Sequence, residues 1–190
     1  AEVIEAGFNR ALAPIGGKLP KDLTGHEAVS YTKRALGKAY EDLLPKLNGT
    51  RMDAAFEQEI GSLRQMMQDS AIDPKYTALF ERTIDARVLG KFQGQKAING
   101  QTLKDVETHL GNEVERFSKA QDPDARLIGD AFKEVQSSIR GLVERTNPLY
   151  AKQLKNVNTG YANYKRMERA ATSVAADGGE ATPAMLHNAV

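Results

Sequence analysis

The chain has 190 residues, and 26 Lys and Arg residues against 25 Asp and Glu residues give a formal net charge of +1 at pH 7. This balance argues against a domain dedicated to nucleic-acid binding, because such domains usually have a strong excess of basic residues. Because there is no cysteine, disulfides and thiolate zinc sites are excluded. No apolar run approaches the roughly 20 residues of a transmembrane helix.

A first helix is predicted at the N-terminus, where apolar residues recur at helical spacing before the proline- and glycine-rich stretch 13–20. The pair Gly17-Lys18 within that stretch invites comparison with the phosphate-binding pattern G-x-x-x-x-G-K-[ST]. The first glycine of that pattern would stand where the sequence has Leu12, and the hydroxyl residue would stand at Leu19. We therefore interpret the stretch as the end of a helix.

Three further helices follow. The first opens with a capping box formed by Thr24 and Glu27 and is kinked or ended by Pro45. The second is predicted to open at Thr50 with Asp53, and the third at 73–74, where aspartate precedes a proline in the first helical turn. Their apolar stripes comprise Val29, Leu36, Tyr40, Leu43, Leu44 and Leu47, then Met52, Phe56, Ile60, Leu63 and Met67, then Tyr76, Leu79, Phe80, Ile84 and Val88.

Residues 90–100 contain three glycines and no clear period, which predicts a loop or at most a short hairpin. Three helices are predicted beyond it, the second and third restarting at the Asp-Pro pair 122–123 and the Asn-Pro pair 147–148. The glycines 178–179 close the third, and 182–183 begins a last one. The apolar stripes comprise Leu103, Val106, Leu110, Val114 and Phe117, then Ile128, Ala131, Val135, Ile139 and Leu142, then Tyr150, Leu154, Val157, Tyr161 and Tyr164.

The predicted fold class is all-α, a multi-helix bundle or extended stack of about seven to eight amphipathic helices. We expect one helical domain over residues 1–190, with a candidate sub-boundary at the 90–100 loop. Because the chain begins without Met and inside an amphipathic pattern, we expect it to be a fragment of a longer polypeptide.

Six glycines fall inside the helical patterns, where each costs about 1 kcal/mol relative to alanine. Close helix crossings or misplaced helix ends would explain them, and so would a fold of deliberately modest stability. They are Gly7, Gly37, Gly61, Gly129, Gly141 and Gly160.

No catalytic, cofactor-binding or metal site is predicted. His26, His109 and His187 do not stand in a metal-ligand spacing. Carboxylates recur two residues apart, as at Glu57 and Glu59, and side chains at that spacing point away from each other on a helix. We therefore expect no enzymatic activity, no cofactor and no small-molecule substrate.

A candidate interaction surface lies near the end of the chain, where tyrosines and basic residues alternate. Aromatic rings interleaved with basic side chains can bind nucleic acid by stacking and phosphate pairing. The alternative is an ordinary amphipathic helix with packed tyrosines and solvated basic residues. The candidate residues are Tyr161, Tyr164, Lys165, Arg166 and Arg169.

Residues 8–47 ("FNRALAPIGGKLP…AVSYTKRALGKAYEDLLPKL") and 128–171, together with "VLGKF…INGQTLKDVETHLG", resemble a segment of long, helix-rich proteins of tailed phages and prophages. The resemblance is one of pattern and covers most of the chain. It implies a structural component of a phage virion, an internal or ejected protein that helps to form the genome-delivery conduit. It also implies a virion location, with delivery into the host cell envelope on infection.

The implied partners are copies of the chain and other virion proteins, with weak or non-specific contact to DNA. Two alternatives stay open. One is a helical segment of a virion-associated enzyme that degrades the cell wall, which would need two carboxylates across a cleft. The other is a helical scaffold or nucleic-acid-binding module.

Overall fold

A computed structural model describes residues 2–23 and 25–176, with side chains in 3–23 and 25–170. Within these residues the fold is all-α, as predicted, and no strand forms. Short 3₁₀ turns follow several helices, and α4 runs into one π-helical turn at Ile84–Val88. The seven helices are α1 (Glu2–Leu12), α2 (Gly25–Leu43), α3 (Ala54–Asp69), α4 (Pro74–Thr83), α5 (Gly100–Ser118), α6 (Pro123–Thr146) and α7 (Ala151–Ala176).

The chain forms two compact units. Unit 1 contains α1, α2 and α7 from Lys152 onward, and unit 2 is Leu44–Ala151. The predicted sub-boundary at 90–100 therefore lies inside unit 2, whereas the chain passes between the units at residues 43–44 and 151–152. A single domain over residues 1–190 stays a prediction.

Apolar side chains from all three helices of unit 1 pack together in a core. The apolar stripe of α1 and parts of those of α2 and α7 meet in it, because residues spaced three and four apart share one face of a helix. The buried members are Phe8, Ala11, Leu12, Leu19, Ala28, Leu36, Tyr164 and Met167.

Unit 2 is built around α6, against which α3, α4 and α5 pack. Aromatic rings fill its centre: the ring centroid of Phe132 lies 5.4 Å from that of Phe80 and 6.4 Å from that of Phe117. At Gly129 a Cβ atom would lie 3.2 Å from the backbone carbon of Phe117, so the glycine lets α5 and α6 approach closely. Every residue predicted on the apolar stripes of α5 and α6 is buried.

The predicted starts of α4 and α6 are confirmed. The side chain of Asp73 accepts a hydrogen bond from the Lys75 amide at 3.0 Å, and that of Asp122 accepts one from the Asp124 amide at 2.9 Å. Pro45 was predicted to kink or end its helix, and it lies in a 3₁₀ turn directly after α2, which ends at Leu43. The predictions at Thr24, 178–179 and 182–183 lie outside the described residues.

The predicted start of α3 is wrong in one respect. Asp53 is the N-cap, because its carboxylate accepts from the Phe56 amide at 2.8 Å. Thr50 is instead buried and pairs with Ile98 in an isolated antiparallel bridge, with N–O distances of 2.8 and 2.9 Å. The predicted loop 90–100 is therefore tied to a residue about 48 positions earlier in the chain, which local patterns cannot reveal.

The helix-interior glycines fall into two groups. Gly7, Gly129 and Gly160 lie at close crossings, where an added Cβ would meet another element. By contrast, a Cβ at Gly61 would meet nothing within 4 Å, and one at Gly37 would make only an ordinary contact. A Cβ at Gly141 would meet only the side chain of Arg145 on its own helix, at 3.1 Å. The first group supports the packing explanation, and Gly61 carries a helix-propensity cost without a packing reason.

Candidate functional site

The candidate interaction surface lies on α7, whose orientation in unit 1 is fixed by one continuous buried stripe. The members of this stripe recur at intervals of three and four residues, which places them on one face of the helix. They are Leu154, Val157, Gly160, Tyr164, Met167 and Ala170.

Glycine brings α7 close to both other helices of unit 1. A Cβ at Gly160 would lie 2.5 Å from Cδ2 of Leu36 and 2.7 Å from the carbonyl oxygen of Ala11. The side chain of Asn163 donates a hydrogen bond of 3.3 Å to the carbonyl oxygen of Arg10, which lies near the C-terminal end of α1. These contacts fix which side of α7 faces the core and hence which side faces solvent.

The structure removes Tyr164 from the predicted interaction surface. Its side chain is only 6% exposed and belongs to the core of unit 1, because it shares the buried stripe with Val157 and Met167. Burial also raises the pKa of its phenol. Tyr161 is half-buried and packs against the same core, so neither ring stands open on the surface for stacking.

The basic members of the predicted surface are divided in the same way. Lys165 is half-buried, whereas Arg166 and Arg169 are exposed. The predicted surface thus combines residues that lie on different faces of α7, some toward the core and some toward solvent. The alternative of packed tyrosines beside solvated basic residues describes α7 better.

The exposed face of α7 contains more positive charge than the predicted set. Its residues recur at alternating intervals of three and four, and four of the six are basic while none is acidic. We call this set the basic stripe, and its members are Lys152, Lys155, Thr159, Ala162, Arg166 and Arg169. The helical spacing was the signal that links Lys152 and Lys155 to the two arginines.

The glycine pair before Lys18 caps the C-terminal end of the first helical segment. The Gly16 amide donates to the carbonyl oxygen of Ala13 and the Gly17 amide to that of Leu12, both at 3.0 Å. Gly16 has a φ of 72°, a left-handed conformation that glycine adopts without steric cost. These amides therefore cap the helix end, as the interpretation of this stretch as a helix stop requires.

Unit 2 contains an open groove of about 320 Å³ beside the π-helical turn. Its lining combines apolar side chains such as Met52 and Phe92 with two charged residues, Glu57 and Arg64. The guanidinium of Arg64 donates to carboxylates of Glu81 and Asp85, both at 2.7 Å. Its charge is therefore balanced within the fold, and Glu57 is the one carboxylate among the described residues of the lining.

A second ion pair joins the start of α3 to the end of α6. Arg145 contacts both carboxylate oxygens of Asp53, at 2.8 and 3.1 Å. The hydrogen bonds from Arg145 hold the pKa of Asp53 below its ordinary value. This carboxylate thus serves both the helix cap and the ion pair, which assigns it a structural role.

No three His, Asp or Glu side chains in the described part of the chain lie together as metal ligands would. None of the described helices combines the length and apolar character of a membrane span. His26 is exposed and His109 half-buried, and His187 lies outside the described residues.

Comparisons with models of known protein families, with curated proteins and with solved structures find no match to this chain.

Proposed function

We propose that this chain is a structural component of a tailed-phage virion that acts by assembly and binding and not by catalysis. It would be an internal or ejected protein that helps to form the conduit for genome delivery. The proposal draws on the resemblance of residues 8–47 and 128–171 to such proteins. Its location would be the virion, with delivery into the host cell envelope on infection.

The observation that carries the proposal furthest is the basic stripe on α7. Over residues 152–170 this helix buries one face in unit 1 and offers solvent a face with four cations and no carboxylate. Such a face suits contact with an extended, anionic partner more than chemistry on a small molecule. The helix-interior Gly61, where an added Cβ would meet nothing within 4 Å, also suits a protein that must unfold readily to pass a narrow channel.

The assembly part of this proposal is tested by light scattering on a size-exclusion column over a wide range of protein concentration. We expect a closed oligomer of defined mass, since symmetric self-association closes into rings or other finite assemblies. A strict monomer at every concentration would contradict self-assembly.

The same samples should be tested for cell-wall degradation, because a hydrolase is the competing proposal. A glycosidase uses two carboxylates that face each other across a cleft. We expect no loss of turbidity when the chain is added to a peptidoglycan suspension. A clear loss would replace the assembly proposal with the enzymatic one, and Glu57→Gln in the groove of unit 2 would then be the first variant to compare.

A further inference from the structure

We propose that the basic stripe of α7 binds the phosphate backbone of duplex DNA without sequence preference. This inference deepens the proposed function, because it names the partner of a surface that the proposal treats as a binding face. It rests on the burial pattern of α7, which separates the basic residues from the tyrosines beside them in the sequence.

The near-zero net charge of the chain does not oppose this binding. At physiological ionic strength charges are screened beyond about 8 Å, so a partner responds to the local surface. The local surface of α7 is one-sided: Lys152, Lys155, Arg166 and Arg169 are exposed on one face, and Glu168 is half-buried off that face. On this face of α7 a polyanion would therefore meet four cations and no carboxylate.

The spacing of the cations suits an extended polyanion. Lys152 and Arg169 are separated by about 25 Å along the helix axis, at 1.5 Å per residue. The cations form two pairs, and about 16 Å of helix separates Lys155 from Arg166. The major groove of DNA is about 12 Å wide, so long side chains at both ends can reach phosphates on its two edges. The residues of the stripe between the pairs, Thr159 and Ala162, are small and allow close approach.

Burial of the tyrosines favours duplex over single-stranded DNA. Proteins that bind single strands use exposed aromatic rings on which successive bases stack. In α7 the ring of Tyr164 is in the core and that of Tyr161 packs against it. The basic stripe therefore offers positive charge but no aromatic ring on which a base could stack. Because contacts to phosphates carry no sequence information, we expect binding without sequence preference.

The test is fluorescence anisotropy with a labelled mixed-sequence duplex of about 20 base pairs, at salt concentrations from 50 to 200 mM. Four phosphate contacts predict a slope of log K against log salt of about −3.6, which is roughly a 100-fold loss of affinity over this range. The stripe variant, which combines Lys152→Gln, Lys155→Gln, Arg166→Gln and Arg169→Gln, should lose this binding. The matched control replaces four exposed basic residues of unit 2 by Gln: Lys46, Arg51, Lys91 and Lys96. It removes the same charge and should bind like the parent chain.

An absence of duplex binding, or unchanged binding by the stripe variant, would overturn the inference, and so would three other results. The first is equal loss of binding in both variants, which would mean that overall charge and not the stripe matters. The second is tighter binding of a single strand than of the duplex. The third is equal or tighter binding of polyglutamate, which would identify an acidic protein surface as the partner. Far-UV circular dichroism of both variants establishes that they are folded.

The DNA-binding test and the light-scattering test can fail independently of each other. Light scattering that finds a defined oligomer, together with no DNA binding, would retain the assembly role and reject the DNA partner. DNA binding by a strict monomer would retain the DNA partner and reject the assembly role.

Discussion

Replacing Gly160 by alanine tests the packing of α7 in unit 1. The new Cβ would lie 2.5 Å from Cδ2 of Leu36 and 2.7 Å from the carbonyl oxygen of Ala11. A leucine methyl can turn away, but the carbonyl belongs to the backbone of α1 and moves only with that helix. Overpacking costs about 1–3 kcal/mol, and the backbone clash points to the upper part of that range. The gain of about 1 kcal/mol in helix propensity offsets part of it.

We therefore expect Gly160→Ala to lose about 2 kcal/mol of stability, after the overpacking cost and the propensity gain. Thermal unfolding followed by circular dichroism should show a midpoint lower by about 4–8 °C, at 2–4 °C per kcal/mol for a chain of this size. Gly61→Ala is the control, because its Cβ would meet nothing within 4 Å. That variant should gain up to about 1 kcal/mol. A Gly160→Ala variant as stable as the parent chain would refute the close crossing.

Three further substitutions test the ion pair, the buried phenol and the aromatic core. Asp53→Asn keeps a good N-cap residue but breaks the pair with Arg145; because the pair is partly exposed, the loss should be at most about 1 kcal/mol at pH 7. Since the pKa of Asp53 is lowered, this stabilisation is present above its ordinary pKa of 3.8 and is lost as the pH falls below it; urea titrations of both chains should converge there. Burial raises the pKa of Tyr164, so its contribution is present below pH 10.0 and is lost as the pH rises further. Tyr164→Phe should therefore unfold less readily than the parent chain above pH 10, and identical alkaline denaturation would contradict its burial. Phe132→Ala should cost about 3–5 kcal/mol by calorimetry, because the ring is fully buried against Phe80; a loss below 1 kcal/mol would contradict that packing.

Local sequence patterns were sufficient for most of the helices. The stripe from Leu103 to Phe117 and the stripe from Ile128 to Leu142 both have the helical period, and both are buried along their whole length. Aspartate followed by proline marked two helix starts, at Asp73 and Asp122, because a short acceptor side chain and a fixed φ both favour the first turn. These signals depend only on residues close together in the chain, so they can be read from the sequence without knowing the fold.

Local patterns do not predict features that depend on contacts between residues far apart in the chain. The bridge between Thr50 and Ile98 joins two irregular segments far apart in the chain. The burial of Tyr164 depends on which face of α7 meets α1 and α2, and tyrosine is compatible with either side. The helical pattern marks Gly7 and Gly160 as unusual, but the close crossing at each depends on where a second helix lies in the fold.

The proposal that the chain is a structural protein of a virion interior is tested most directly on tailed-phage particles produced by the cells that carry its gene. Purified particles should be treated with an external protease and then analysed by mass spectrometry, before and after the genome is released. We predict peptides of this chain in intact particles, protected from protease, and their loss from particles that have released the genome. Particles that never contain the chain would contradict the claim.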